Sequence, residues 1–157
     1  MDRRAFFLTI AGTLVAARFD ALAQPANRVY KVGIIRPTAP PESGDHVTAE
    51  YLLRAALAKL GYVEGRNLIV EWRYANGDVQ RIPVLVRELV QTHVDVIVAI
   101  AAAAVQAAKV ATTTTPIIIY GNFDPVATGF VTSLARPGGN VTGVLIAPEG
   151  TLGAKKL

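Results

Sequence analysis

The run PIIIYG, residues 116–121, followed at once by NFDP, constrains this chain more than any other stretch. Three consecutive isoleucines and a tyrosine between a proline and a glycine fit a strand buried on both faces. Strands of that kind belong to parallel sheets, which need a crossover element between neighbours. The residues leaving the strand, Asn122 and Asp124 above all, put an amide and a carboxylate at its carboxyl end, where open α/β sheets hold their ligands. Asp124 also reads as the cap of a short helix starting at Pro125. ARPGGN ends that helix, Pro137 being unable to continue it and Gly138 and Gly139 supplying positive φ. Residues 141–145 resume a strand.

The earlier part of the chain repeats the alternation. Residues 29–35 (VYKVGII) form a first strand, with Gly33 allowing a close neighbour, and open into the proline-rich loop RPTAPPESGD. Thr38, Glu42 and Ser43 are that loop's polar groups. From His46 to Leu60, apolar residues Val47, Ala49, Leu52, Leu53, Ala56, Leu57 and Leu60 recur at three and four, one face of a helix that Gly61 ends. Residues 67–74 (NLIVEWRY) alternate and have a partly polar face, as in an edge strand. Trp72 and Tyr74 are expected to pack in the core. Asp78 caps a helix carrying Ile82, Leu85, Val86, Leu89 and Val90, with Pro83 in its first turn. Residues 94–100 (VDVIVAI) make the most apolar, central strand, and residues 101–111 a short helix whose first amides could receive an anionic group. ATTTT is a connector. Five strands alternating with four helices predict a doubly wound parallel sheet, flavodoxin-like, in the order 2-1-3-4-5.

Composition narrows the function. The formal charge is +4 and the pI about 9.6, but the basic residues are scattered, so nucleic-acid binding is not expected. With no cysteine, disulfides, thiolate metal sites, a cysteine nucleophile and a lipoprotein anchor are excluded. His46 and His93 are isolated and read as surface residues, leaving no metal and no cofactor expected. There is no G-x-G-x-x-G after the first strand, no P-loop and no G-x-S-x-G elbow, so no catalytic residue is assigned. An exported flavodoxin-like enzyme is an alternative reading, for which nucleophile, base and orienting group cannot readily be assembled. A receiver domain would want an aspartate ending the third strand, which ends in Ala99-Ile100.

Residues 1–23 read as an export signal: Arg3 and Arg4, an apolar stretch from Phe6 to Ala17, then Ala21-Leu22-Ala23 as a cleavage site. The apolar stretch is twelve residues, too short to span a bilayer. DRRAFF also resembles a twin-arginine motif. Periplasmic delivery follows.

The motif DPVATGFVTSLARPGGNVTG resembles the DPVGTGLVASLARPGGNVTG signature of a family of ABC-transporter substrate-binding proteins with the type I periplasmic binding protein fold. The likeness continues in LAKLGYVEGRNLIVEWRYANGD, ELVQTHVDVIVA and AAKVATTTTPI, and covers nearly the whole chain from Val29 onward. It implies a two-lobed clamshell that performs no chemistry, binds a small solute such as an amino acid, and hands it to an ABC permease. Residues 24–157 would then be the first lobe, truncated before the second, and a remnant with no working site is the other reading. Ligand contacts are expected from Thr38, Ala101, Ala102, Asn122 and Asp124. The family resembles S-G-T-P-A-A where this chain has Ile100, Ala101, Ala102, Ala103 and Ala104, so a glycine and a hydroxyl are absent there.

Overall fold

The computed structural model describes residues 28–41 and 49–145. The expected export signal, Glu42, Ser43 and His46, and residues 146–157 lie outside the described residues. Strand β1 (Tyr30–Arg36) leads to helix α1 (Ala49–Lys59), β2 (Leu68–Tyr74), a 3-10 turn (Val79–Arg81), α2 (Ile82–Gln91), β3 (Val96–Ile100), α3 (Ala102–Ala111), β4 (Ile117–Gly121) and β5 (Val141–Leu145). All neighbouring strands run parallel in the order β2-β1-β3-β4-β5. This is the doubly wound sheet read from the alternation, with β2 at one edge and β3 between β1 and β4.

Helix boundaries follow local chemistry. Asp78 Oδ1 accepts from the Gln80 amide at 3.0 Å and starts the 3-10 turn, and Pro83 lies in the first turn of α2, where its missing N–H is not needed. Gly61, at φ +88°, turns the chain out of α1. Thr112 Oγ1 accepts from the amides of Thr114 and Thr115 (3.3 and 3.0 Å), so the threonine run closes a tight connector.

The two sheet faces differ. Helices α2 and α3 cover one, where Ile35, Ile97, Ile117, Val86, Leu89, Val105 and Ala108 are fully buried; burying an isoleucine such as Ile97 contributes about 1.5–3 kcal/mol. Gly33 permits this closeness, since a Cβ there would lie 3.0 Å from Leu89 Cδ2. On the other face, Ile34, Leu68 and Val70 form a smaller core under Leu53 and Leu57 of α1.

Three expectations are corrected. Leu52 and Leu60 do not pack on the sheet but stand exposed, whereas Leu53 and Leu57 pack against its smaller core. The strand β4 is not buried on both sides: Ile117 and Ile119 are, while Ile118 is half-buried and Tyr120 is 43% exposed, because no described helix lies over that side of it. No regular helix follows Pro125. Instead, hydrogen-bonded turns run from Asp124, and the amides of Phe130 and Val131 both donate to the Pro125 carbonyl (2.9 and 3.1 Å). Gly129, at φ +71°, stops the winding early and sends Phe130 and Val131 into the core.

Candidate ligand site

The adjacent strands β1, β3 and β4 deliver three loops to the same sheet edge. After β1, the Gly77 amide donates to the Pro37 carbonyl at 2.7 Å and the Ala75 amide to Arg36 at 2.9 Å, which ties this loop to the one after β2. Thr38 stands exposed beyond this tie, and its hydroxyl makes no hydrogen bond to a described residue.

Between β3 and α3 the chain turns at Ala101, whose φ of 72° and ψ of 158° belong to a region that glycine alone adopts easily. Its amide donates to the Tyr120 carbonyl at 3.0 Å, locking the turn against β4, and its carbonyl accepts from Ala104 and Val105. Ala101 therefore shapes the turn without offering a donor. The amides of Ala102 and Ala103 have no acceptor among the described residues and carry the positive end of the helix.

After β4, Asn122 is exposed, and Asp124 Oδ1 accepts from the amides of Val126 and Ala127 at 2.8 and 3.0 Å. Asp124 is thus a cap, as one reading of the sequence had it, yet its Oδ2 has no partner among the described residues. Gly121 is needed here: a Cβ would lie 2.6 Å from Phe123 Cε1, so its absence lets Phe123 fold back onto Phe130, edge to face at 5.7 Å. Lys109 of α3 pins the loop by donating to the carbonyls of Gly129 and Phe130 (3.0 and 2.9 Å). Together the loops present two amides, a hydroxyl, a side-chain amide and a carboxylate oxygen. Such a set can hold a small polar solute bearing both charges.

Asp95 and His93 lie elsewhere. Asp95 precedes β3 at the opposite sheet edge. It accepts from the Lys31 amide at 2.8 Å and pairs with Arg28 at 2.7 Å, and these two contacts, the amide first, lower its pKa. His93 is exposed there too, as expected of it. Among the described residues no group of His, Cys, Asp and Glu could hold a metal ion, and no helix is long and apolar enough to cross a membrane.

One feature escaped sequence reasoning. A cavity of about 340 Å³ lies on the α1 side of the sheet, lined by Ile34, Arg36, Leu52, Leu53, Trp72, Val98, Ile100 and Tyr120. Alternation put the strand residues on one face, and only the strand order brings β2, β1, β3 and β4 side by side. Beside it, Arg36 pairs with the buried Glu50 at 2.6 Å, and the Tyr74 hydroxyl donates to the same oxygen at 3.3 Å. Burial, then the Glu50 charge, raises the Tyr74 pKa. A larger hollow of about 540 Å³ between α2 and α3 contains none of the expected site residues.

Known proteins share this architecture. A substrate binding protein with adhesive properties from Clostridium difficile, in its ligand-free, open structure, matches with a TM-score of 0.67 and 30% identity over 78% of this chain and 40% of its own. An ABC domain from Streptococcus pneumonia in complex with L-Trp matches at 0.62 and 28% identity, over 74% of this chain and 38% of its own. A conserved domain protein from Vibrio cholerae matches at 0.67 and 31% identity, over 78% and 40%. In sequence, a tyrosine-binding protein of Clostridioides difficile is 39% identical over 88 residues, which make up 56% of this chain and 26% of that one. The chain therefore spans less than half the length of these relatives, two of which are named as binding proteins. The family of ABC transporter substrate binding proteins matches residues 43–149, from before α1 to beyond β5, and the chain belongs to that family.

Proposed function

We propose that this protein is a solute-binding component of an ABC importer, exported by its first 23 residues to the periplasm, and that the unit from residue 24 onward is one wall of a ligand cleft. The observation that carries the reading is the convergence of Thr38, the Ala102 and Ala103 amides, Asn122 and Asp124 at the ends of three adjacent strands. The amides suit a carboxylate and Asp124 Oδ2 suits an ammonium, which together describe an amino acid. The relatives named for tyrosine and solved with L-Trp favour that class. The partner would be an inner-membrane permease, and a second lobe would close the cleft. Calorimetry with amino acids and small organic acids tests this. Asp124→Asn should weaken amino-acid binding by about 1.5–3 kcal/mol, the range for a hydrogen bond to a charged group. An unchanged affinity would remove Asp124 from the site.

A second reading, a remnant without a working site, draws on Ala101: a strained alanine stands where the resembling sequences carry glycine. Intact binding in the same calorimetry would refute it.

A further inference from the structure

The two edges of the sheet are built differently. At one edge β2 carries Glu71 and Arg73, which pair with each other at 3.0 Å, and Glu64 bridges to its first residue, Leu68. Charges and a covering loop of this kind keep other chains from adding to an edge. At the other edge β5 is the uncharged run VTGVL, and among the described residues no strand pairs with its outer side.

Backbone direction decides which groups face out. The Asn140 carbonyl accepts from the Ile117 amide at 2.8 Å, so Asn140 faces β4, and by the two-residue period of a strand Thr142 and Val144 face β4 as well. The N–H and C=O groups of Val141, Gly143 and Leu145 therefore point outward, where no described residue takes them up. These three residues are symmetric about Gly143. Beside them Leu134 stands 65% exposed, lining a hollow of about 70 Å³ with Thr142 and Gly143.

We propose that the free edge of β5 is a pairing surface for a second copy of this chain, joined antiparallel about a two-fold axis at Gly143. In that register Gly143 lies opposite Gly143, and Val141 opposite Leu145 of the second copy, as hydrogen-bonded pairs that make about six backbone hydrogen bonds. A second copy fits because the run meets itself with no like charges opposed, and because glycine stands at the axis, where the backbones meet without side chains. A strand of five residues with one flanking leucine buries less than a stable interface needs, so the association is weak and reversible. The two-fold turns the carboxyl ends of β1, β3 and β4 in the two copies opposite ways. The pairing therefore builds no shared cleft and is independent of the proposed solute binding.

The experiment combines sedimentation of the full chain with cysteine cross-linking, which the absence of native cysteine makes clean. Thr142 lies opposite Val144 of the second copy in a non-hydrogen-bonded pair, with Cα atoms about 4.5 Å apart and within disulfide reach. Thr142→Cys and Val144→Cys chains are oxidised separately and as a mixture. Expected are a reversible monomer–dimer equilibrium for the wild type and a cross-linked dimer that forms chiefly in the mixture. Leu134→Lys combined with Thr142→Lys brings like charges to the contact and should raise the dimer dissociation constant roughly tenfold or more, with circular dichroism confirming the fold.

A wild type that stays monomeric throughout a concentration series would overturn the proposal, and slow amide exchange at Val141, Gly143 and Leu145 in that monomer would show the edge covered within one copy. A dimer that cross-links equally in all three samples, or that keeps its dissociation constant in the lysine variant, would place the contact on another surface and overturn it as well. Growth beyond the dimer would do the same, because a two-fold contact closes on itself.

Discussion

Replacing Ala101 by glycine should stabilise the protein. Ala101 holds φ 72° and ψ 158° at the start of α3, a conformation costing a residue with a Cβ on the order of 1–3 kcal/mol and glycine almost nothing. The turn persists because both its polar groups are engaged, the amide by the Tyr120 carbonyl at 3.0 Å and the carbonyl by the amides of Ala104 and Val105 at 3.1 and 3.2 Å. Against the relief stands the greater freedom of glycine in the unfolded chain, about 0.4–1 kcal/mol. The difference predicts a gain of roughly 0.5–2 kcal/mol, or a Tm rise of a few degrees for a chain of this size. Urea denaturation followed by Trp72 emission and by circular dichroism would measure it. Ala103→Gly, in the first turn of the same helix with ordinary geometry, serves as control and should lose about 0.5–1 kcal/mol. If Ala101→Gly destabilised the protein as much as the control, the turn would not be strained, and the account of it would be wrong.

Other outcomes follow from the same geometry. Gly143→Ala should destabilise severely, by about 3 kcal/mol or more in chemical denaturation, because its Cβ would run into the Ile119 side chain and carbonyl and lie 2.7 Å from the Ile119 amide, forcing β5 off β4. Asp124→Ala should cost about 1 kcal/mol through the loss of its two capped amides, whereas Asp124→Asn should leave the midpoint nearly unchanged, since asparagine caps well. The Asp95 carboxyl has its folded pKa lowered below its ordinary 3.8, so the stability it contributes is fully present above that value and is lost as pH falls through the lower folded pKa. The Tm advantage of wild type over Asp95→Asn should accordingly be constant near neutrality and shrink in that acid window.

The sheet order was legible because each strand carried its own signature: continuous apolar runs in β3 and β4, alternation in β2, and crossover helices with period near four between them. Asp78, Gly61 and Gly33 act locally, through a cap, a left-handed turn and a close approach, so their roles could be read from short stretches. The turns after Asp124 could not. Helix signals at Asp124 and Pro125 are real, but the burial of Phe130 and Val131 wins over the propensity of the segment between them. The exposed Leu52 shows a similar limit, since periodicity gives an apolar stripe without saying how much of it the sheet covers. The candidate loops were found because strand ends are visible in sequence. The cavity was not, because it is assembled from side chains of four strands whose adjacency exists only in the folded sheet.

The central claim, that a solute is held at the carboxyl ends of β1, β3 and β4, is tested most directly by titrating the isotopically labelled protein with L-phenylalanine and following its amide resonances. Saturable shifts at Thr38, Ala102, Ala103 and Asn122 are the predicted result. Shifts confined to the hollow between α2 and α3, around Val79, Ala107 and Val110, or no shifts up to the solubility limit, would contradict it.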